Sequence, residues 1–372
     1  MYLYSYKFVM FLFSIVMLYS CGGGLGGDGG HTEQPNNQSI NNNLTGYLFS
    51  EESGHKAYIV NLSTGVASVI PNTDWENQDE RFPFGIARYY KYSVQNSHSQ
   101  FVGVAVNCKG ENSDPLSASM SCIVFQDYSG NYLGQLDLVH DVSNVELSPD
   151  GQYLALFRNF NPGVSDQEWF EIFTIDGRFL SDKRLRARNI QWLFNGSIVY
   201  GDGRRFVFTK PYSTDTDYTL TLPDSINDGW ISDFDINSDQ SKIVFTYATE
   251  STAFTSVVAK LYMMNIDGTN VRLLADVPSN ETANISDPTW SPDGEWIILE
   301  EGNIEGQDVN APGTAGYVYI IPSENLGKVF ILSVEDGKRS PEVIQVWHDQ
   351  DGAGPRETLS LRSSGRRYEW IP

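Results

Sequence analysis

The fold is decided by one stretch that occurs twice, at residues 147–156 (LSPDGQYLAL) and 290–299 (WSPDGEWIIL). Each copy has a short apolar run, the turn sequence Ser-Pro-Asp-Gly and a second apolar run. Proline presets the backbone φ of the first corner of a turn, and glycine accepts the positive φ that its end requires. Each copy therefore predicts two antiparallel strands joined by a tight turn.

The same pattern recurs in weaker form along the chain. Its turn positions are Ser99, Gly151, Gly196, Gln240, Gly294 and Gly365. Most of them are about 40–50 residues apart, which is the length of one four-stranded propeller blade. A second turn signature interleaves with the first, at Gly65, Gly130, Gly177, Gly268 and Gly337. Each unit thus predicts a first and second strand around one turn and a third and fourth strand around the other.

In the unit that contains Gly294, residues 300–328 are predicted to be an insertion between the second and third strands. The third strand is expected at residues 329–333, before Gly337.

The paired signatures resemble the TolB-like repeat, a bacterial relative of the WD repeat. The resemblance covers residues 45–372 and implies an all-β fold, a β-propeller of six four-stranded blades. A blade built from both chain ends would close the ring, with the Gly365 copy supplying its first two strands and residues 57–70 the others. Residues 46–50 also look like a second strand and compete with residues 367–371, so seven blades, or a blade with an extra strand, remain alternatives.

Residues 1–20 have the pattern of a lipoprotein signal peptide. The apolar run 8–18 is about 16 Å long as a helix, too short to cross a bilayer core of about 30 Å. Leu-Tyr-Ser-Cys at residues 18–21 resembles the lipobox, which makes Cys21 the predicted lipidation site. The alternative is an ordinary signal peptide followed by a chance cysteine. Residues 21–44 are rich in Gly and Asn and are expected to form a flexible tether.

The charge of the chain restricts its partners. The formal net charge is −22, from 47 acidic and 25 basic residues. Nucleic acid is excluded as an expected partner, because phosphate neutralisation requires clustered Lys and Arg. Contact with the membrane is expected through the lipid alone. Solubility by itself also accounts for the acidity.

Two cysteines remain after Cys21. Cys108 follows one apolar strand pattern and Cys122 begins another, so a hairpin with a long loop brings them together. In an oxidising compartment we expect a disulfide between them. Two free thiols in neighbouring strands are the alternative.

Catalytic motifs are missing from the sequence. None of the five histidines lies in a zinc-binding motif, and there is no nucleophile elbow and no phosphate-binding loop. We therefore expect a protein that is not an enzyme.

One column of the repeat has the composition of a binding site. Three residues before the end of each first strand lie Asn144, Asn189, Asp233 and Asp287. Two residues further on, and on the same strand face, are Glu146, Gln191, Asp235 and Thr289. First strands line the central channel of a propeller, so the first column predicts oxygen ligands for a calcium ion or for an inserted polar group. Capping of the loops that enter the blades is the alternative.

These features predict a monomeric lipoprotein, anchored in the outer membrane of a Gram-negative bacterium and facing the periplasm or the cell surface. Its propeller is expected to bind an envelope protein or a peptide segment. The alternative is a polysaccharide-binding protein or a lyase with a metal in the channel.

Overall fold

The structure is a computed structural model that describes only part of the chain. The described residues are 44–52, 56–63, 66–70, 88–95, 100–106, 121–137, 142–158, 169–183, 189–211, 217–250, 257–275, 284–302, 318–324, 330–331, 347–348, 357–358 and 369–372. All of them belong to one compact unit, Asn36–Pro372. Cys21, Cys108, Gly65, Ser99, Gly337 and Gly365 lie outside them, as do the predicted signal peptide and nearly all of the tether.

The described residues form strands and no helices, so none of them is part of a helix that could span a membrane. In chain order the strands are β1 (Tyr47–Glu52), β2 (Lys56–Asn61), β3 (Val66–Val69), β4 (Arg88–Gln95), β5 (Gln100–Val106), β6 (Ser121–Asp127), β7 (Tyr132–Asp137), β8 (Val142–Leu147), β9 (Tyr153–Arg158), β10 (Trp169–Thr174), β11 (Phe179–Lys183), β12 (Ile190–Trp192), β13 (Ile198–Asp202), β14 (Arg205–Thr209), β15 (Tyr218–Thr221), β16 (Gly229–Ile236), β17 (Lys242–Glu250), β18 (Val257–Asn265), β19 (Arg272–Ala275), β20 (Asn284–Trp290), β21 (Trp296–Gly302), β22 (Val318–Pro322), β23 (Phe330–Ile331), β24 (Trp347–His348), β25 (Glu357–Thr358) and β26 (Glu369–Ile371).

Five of the sheets are four-stranded antiparallel meanders. We call them sheet 1 (β4–β7), sheet 2 (β8–β11), sheet 3 (β12–β15), sheet 4 (β16–β19) and sheet 5 (β20–β23). The remaining strands form what we call the closing sheet, in the order β26, β1, β2, β3, β24, β25. The prediction of an all-β fold made of four-stranded antiparallel sheets is confirmed.

Sheets 1 to 4 each pack on both of their faces, and strand β17 shows why its sequence is mostly apolar. Ile243, Phe245 and Tyr247 pack in a cluster with residues of sheet 3. Val244 and Ala248 face the other way, into a cluster with sheet 5. Because successive side chains point to opposite faces, a strand that is covered on both faces is apolar at every position. A fully buried side chain such as Phe245 contributes roughly 1.5–3 kcal/mol of hydrophobic stabilisation.

The predicted turns are present wherever the structure describes them. Gly151 and Gly294 have φ of 66° and 73° and donate to the carbonyls of Ser148 and Ser291 at 2.8 and 2.9 Å. The degenerate copy holds Gln240 at φ 58°. The second turn signature has positive φ at Gly130, Gly177 and Gly268. The repeat therefore predicted the turns correctly, including one that lacks glycine.

The closing sheet corrects one prediction. β26 is its first strand and pairs with β1, with Tyr47 opposite Ile371 and Phe49 opposite Glu369. The C-terminal residues are thus not the second strand of a hairpin, and residues 46–50 and 367–371 are not competitors for one place. The sequence explains the assignment, because Glu-Trp-Ile-Pro at residues 369–372 repeats the first-strand pattern Glu-Leu-Ser-Pro at residues 146–149.

The first two strands of the closing sheet, β26 and β1, are not joined by a turn because they are far apart in the chain, and Gly46 directly precedes β1 at this place. Its carbonyl accepts a bond from Leu62 N, as the carbonyl of Gln152 accepts one from Ile175 N in sheet 2. Its φ is 85°, and a Cβ there would lie 2.4 Å from the Ile371 carbonyl oxygen. Glycine is needed at this position for both reasons.

Sheet 5 corrects a second prediction. Its third strand is β22 (Val318–Pro322), inside the expected insertion, and β23 (Phe330–Ile331) is the fourth strand. Ser323 N donates to the Glu295 carbonyl at 2.8 Å, the bond that follows the third strand in sheet 2. Residues 318–322 and 329–333 are both apolar, so composition alone could not distinguish the two strands.

Consecutive sheets adjoin through their first strands, except that sheet 3 contacts sheet 4 through its second strand, β13. β4 contacts β8, β8 contacts β12, β13 contacts β16, and β16 contacts β20. Strand β20 contacts β26, and β26 contacts β4. The series of contacts therefore returns to the sheet from which it began.

The predicted hairpin between the two cysteine regions is present. β5 pairs with β6, with Ala105 opposite Cys122. Cys122 is fully buried in a cluster with Phe49 and Phe101, between the closing sheet and sheet 1. Because Cys108 lies outside the described residues, its disulfide with Cys122 stays a prediction.

Candidate functional site

A cavity of about 400 Å³ lies where the first strands end and enter their first turns. Sheets 2 to 5 and the end of β26 all contribute to its lining. The polar residues that recur at one position of the first strand are Glu146, Gln191, Asp235, Thr289 and Glu369. The next residue in each strand also lines it, and three of these residues are tryptophans, Trp192, Trp290 and Trp370.

The second column of the repeat is therefore brought together at this cavity. Glu146, Gln191, Asp235 and Thr289, which the repeat places at equivalent positions of their strands, all line it. Glu369 belongs to the same column and was missed, because the C-terminal strand was taken for a second strand. The match between residues 369–372 and 146–149 was the signal that could have found it.

The cavity also contains hydroxyl and amide groups that hold the turns. Ser291 Oγ donates to Asp293 Oδ1 at 2.5 Å and accepts from Trp296 N at 2.9 Å. Asn237 Oδ1 accepts from Lys242 N at 2.8 Å in the degenerate copy. These groups already form hydrogen bonds within the protein, so they stabilise the turns in the wall of the cavity.

Asp235 joins two sheets at the cavity wall. Its Oδ2 accepts a bond of 2.7 Å from Trp290 N in sheet 5, and its Oδ1 accepts one from Ile236 N at 2.9 Å. Asp235 also begins the sequence that resembles a calcium loop, at residues 235–239. Its carboxylate faces the next sheet instead, and Asp239 caps Ser241 N at 2.8 Å as part of an ordinary turn.

The first column lies away from this lining, at an irregularity that recurs in the first strands. The register shifts between Val142 and Asn144, between Ile231 and Asp233, and between Ser286 and Thr289, around Asp287. Asn144, Asp233 and Asp287 are thus inside their strands, and Asn189 directly precedes β12. Extra residues at a β-bulge leave backbone groups unpaired, and short polar side chains can bond them.

Three members of the first column are linked from sheet to sheet. Asn189 Nδ2 donates to Asp233 Oδ1, and it also reaches the Phe234 carbonyl at 3.0 Å. Asp287 N donates to Asp233 Oδ2 at 3.2 Å. The backbone of Asn144 lies in β8, while its side chain is outside the described part. The Asp233 carboxylate thus bridges sheets 3, 4 and 5.

A calcium ion at the first column stays a prediction. Among the described residues, no group of three or more His, Cys, Asp or Glu side chains has the arrangement to hold a metal ion. The bonds of Asp233 agree with the capping alternative.

The negative charge of Glu369 also affects a neighbouring side chain in sheet 1. Burial, and to a smaller extent the carboxylate of Glu369, raise the pKa of Tyr128 well above its ordinary value. Tyr128 therefore remains a neutral phenol at physiological pH, and its ring stacks on Phe101.

Exposed apolar side chains lie on the same side as the cavity. In a four-stranded meander, the turn between the first and second strands and the turn between the third and fourth strands lie at the same end of the strands. We call the side of the protein formed by these turns the turn face. Each exposed large hydrophobic residue in the described part lies in such a turn or at the first or second residue of the strand after it. They are Tyr47, Tyr132, Leu133, Phe179, Phe194, Tyr218 and Leu273. We call this set the turn-face hydrophobics.

Neighbouring sheets keep the same orientation, so their turns share one face. A Cβ at Gly177, in the second turn of sheet 2, would meet Leu136 of sheet 1. A Cβ at Gly268, in the second turn of sheet 4, would meet Leu220 of sheet 3 in the same way. Phe194 is 69% exposed and also lines the cavity, which connects the turn-face hydrophobics with the cavity.

The class defined by these sheets is the β-propeller, in which four-stranded meanders adjoin through their inner strands and leave a central site at one face. No protein-family model and no curated protein matches the sequence.

Similar solved structures exist at low sequence identity. They include a putative TolB from Agrobacterium tumefaciens, with 12% identity and a TM-score of 0.48 over 76% of this chain and 89% of that one. Hydrazine synthase from Kuenenia stuttgartiensis has 12% identity and a TM-score of 0.45, over 75% and 74%. An oligogalacturonate lyase in complex with manganese has 14% identity and a TM-score of 0.44, over 74% of each chain. Similarities at this level carry no inference about activity, ligand or partner.

Proposed function

We propose that this chain is a lipid-anchored envelope protein whose propeller binds a partner polypeptide at the turn face and catalyses no reaction. The observation that carries the proposal is the cavity of about 400 Å³ at the turn face, with the exposed Phe194 in its lining and further exposed hydrophobic residues on the same face. Concave sites with an apolar wall and a few polar groups are typical binding sites, and apolar patches exposed to water are typical of interaction surfaces.

The proposed propeller has six blades, and its ring is closed in the closing sheet. Support comes from the inner-strand contacts, which run through sheets 1 to 5 and return through β26 to β4. The pairing of β26 with β1 joins the two ends of the chain in one sheet. Strands β24 and β25 add to the outer edge of that sheet and form no seventh blade in this proposal.

The proposed anchor is Cys21 and the proposed location is the outer membrane of a Gram-negative bacterium, with the propeller in the periplasm or at the cell surface. Support comes from the sequence of residues 1–44 alone. Replacement of Cys21 by Ser is expected to abolish the incorporation of labelled palmitate. A wild-type protein that takes up no palmitate would remove the anchor from the proposal.

Binding at the turn face is tested by site-specific photo-crosslinking in intact cells. A benzoylphenylalanine at Phe194 probes the turn face. One at Asp224, a fully exposed side chain at the opposite end of the strands of sheet 3, is the matched control. We expect a discrete protein adduct from the first position and none from the second. Equal adducts from both positions, or none from either, would contradict binding at this face.

The second function predicted from the sequence, binding or cleavage of polysaccharide, is favoured by no observation on the described residues. It enters as an outcome of the same experiment, because a glycan-directed protein gives no protein adduct at Phe194 and instead binds in a glycan array.

A further inference from the structure

Two residues that line the cavity depart from the turn pattern of the repeat. Phe194 stands where Pro149 and Pro292 stand in the two best copies. Gln240 stands where the other described copies have glycine, and its backbone has a φ of 58°. The two departures belong to the first turns of adjoining sheets, Phe194 to sheet 3 and Gln240 to sheet 4, and both residues are part of the cavity wall.

The two departures meet in one hydrogen bond. Phe194 N donates to Gln240 Oε1 at 3.1 Å, from sheet 3 to sheet 4. Proline fixes its own φ and has no N–H, so a turn with proline at this position needs no partner there. Phe194 has neither property, and the N–H groups that bond within its own turn are those of Leu193, Gly196 and Ser197. The amide of Gln240 therefore supplies, from the next sheet, the restraint that proline supplies in the two best copies.

Gln240 makes this bond against its backbone preference. A residue with a Cβ is disfavoured at positive φ, which glycine adopts freely. For the connection of β16 to β17 alone glycine would be the better residue, as it is in the first turns of sheets 2, 3 and 5. Strained backbone positions cluster at binding and active sites, where the side chain has a task. The strain at Gln240 therefore directs attention to its side chain, and thus to Phe194.

From these observations we infer that Gln240 is a positioning residue for partner binding, which holds Phe194 in place in the cavity lining. Phe194 is 69% exposed, so its ring is held where a partner can contact it and not inside a core. A side chain that is already fixed loses less freedom on binding, which strengthens the complex. The inference rests on the proposed function and assigns two tasks at the turn face. The partner contacts the ring of Phe194, and Gln240 acts through Phe194.

The test uses three variants of the full chain. Gln240→Gly removes the bond and the strain together, and it is expected to fold because other copies of the turn have glycine at this position. Gln240→Glu keeps both, since a carboxylate oxygen on a side chain of the same length can accept the same N–H. Asn270→Gly is the matched control, because Asn270 also has a positive φ, 56°, but lies in the second turn of sheet 4 and outside the cavity lining.

The first measurement is the yield of the protein adduct from benzoylphenylalanine at position 194 in intact cells. The replaced ring leaves the backbone N–H of residue 194 unchanged. We expect Gln240→Gly to lower the yield about fivefold, the effect of one net hydrogen bond on an equilibrium. Gln240→Glu and Asn270→Gly are expected to give the same yield as the chain without these substitutions.

The second measurement needs no partner. Hydrogen exchange followed by mass spectrometry is expected to be faster at the Phe194 amide in Gln240→Gly and unchanged in Gln240→Glu. The urea midpoint of Gln240→Gly is expected to be no lower than that of the wild type, because the relief of strain offsets the lost bond. Weaker binding without lower stability distinguishes a positioning residue from one that only stabilises the fold.

The outcomes separate the two proposals. An adduct yield that is the same with Gln240 and with Gln240→Gly overturns the inference and leaves partner binding at the turn face intact. A lower urea midpoint that accompanies a lower yield shows that the bond stabilises the fold as a whole, which also overturns the inference. Absence of any adduct at position 194 when Gln240 is present overturns the proposed function, and the inference with it.

Discussion

Sheet 4 and the first four strands of the closing sheet, β26 and β1 to β3, form the same antiparallel arrangement but are assembled in different ways. Sheet 4 is one run of chain from Gly229 to Ala275, and its first turn connects β16 to β17 covalently. In the closing sheet β26 and β1 come from opposite ends of the chain, and Trp370 Nε1 donates to the Thr45 carbonyl across 325 positions at 2.9 Å. The same architecture therefore occurs once with a local connection and once without it.

The difference shows where specific side chains replace a covalent link. Ordering contacts between distant residues costs more loop-closure entropy than ordering a tight turn does. In sheet 4 the turn holds even with Gln240 in place of glycine. In the closing sheet the junction depends on Gly46 approaching the Ile371 carbonyl and on the indole of Trp370. Substitutions should therefore be tolerated less well at this junction than at an intact turn.

The strongest test compares Gly46→Ala with Gly196→Ala. Both glycines have positive φ, but the added Cβ meets the Ile371 oxygen only at Gly46, and nothing within 4 Å at Gly196. We expect a loss of about 3 kcal/mol at Gly46, against about 1 kcal/mol at Gly196. Urea unfolding followed by tryptophan fluorescence gives both values. Equal losses would show that the interrupted turn is no more demanding than an intact one.

The second test concerns the sheet that packs against the junction. Cys122 shares a buried cluster with Phe49 of β1, so a disulfide to Cys108 would stiffen the surface on which the closing sheet rests. A bond that closes a loop of roughly 15 residues stabilises by about 3 kcal/mol in the chain-entropy model. We expect a linked Cys108–Cys122 peptide in a digest made without reductant, and a lower urea midpoint with reductant. Two alkylated thiols in the unreduced protein would reject the bond.

The third test concerns the hydrogen bonds by which Asp233 links sheet 4 to sheets 3 and 5. Asp233 accepts bonds from sheets 3 and 5, so Asp233→Ala is expected to cost about 2 kcal/mol, the effect of leaving buried donors without an acceptor. If bridging is its task, the loss is the same in chelator and in millimolar calcium. A wild-type melting curve that rises with calcium, while that of the variant does not, would restore the cation interpretation.

A smaller effect is expected from the indole at the junction. Trp370→Phe removes the bond to Thr45, while Trp290→Phe removes an N–H that has no partner in the described part of the chain. Both variants lose similar volume, so the difference between their stabilities isolates the bond at about 1 kcal/mol. A difference near zero would leave packing alone to explain why tryptophan occurs at both positions.

The smallest effect concerns a charge pair between sheets 4 and 5. The hydrogen bond and charge of Lys242, with Arg272 nearby, hold the pKa of Glu324 below its ordinary value of 4.5. A lowered carboxyl pKa stabilises the fold above pH 4.5, and this contribution disappears as the pH falls through the lowered pKa. Glu324 is 65% exposed, so Glu324→Gln should cost under about 0.5 kcal/mol at pH 7 and less as the pH falls below 4.5. A loss of equal size at pH 7 and at pH 3 would show that charge is not its origin.

The sequence predicted features that depend on neighbouring residues better than features that depend on residues far apart in the chain. Turns are set by neighbouring residues, so Gly151, Gly177 and Gly294 were found from the repeat. The strand face that carries Glu146 and Asp235 followed from the period of two. The place of a strand within its sheet depends on its partner strand. β23 was therefore predicted as the third strand of its sheet but is the fourth, and β26 was predicted as the second strand but is the first. Glu369 was missed at the cavity for that reason alone.

The bulge at the first column was also beyond prediction from the sequence. Asn189, Asp233 and Asp287 were recognised as a repeated feature, but the residue types suit both ion ligation and backbone capping. Only the register shifts and the bonds to the neighbouring sheet distinguish what these side chains do in the protein.

The pairing of β26 with β1 also determines the order in which the protein can be completed. Tyr47 is synthesised long before Ile371, so sheets 1 to 5 can be completed while β1 still has an open inner edge. The pairing of β1 with β26 therefore waits for residues that are synthesised after every strand of sheets 1 to 5.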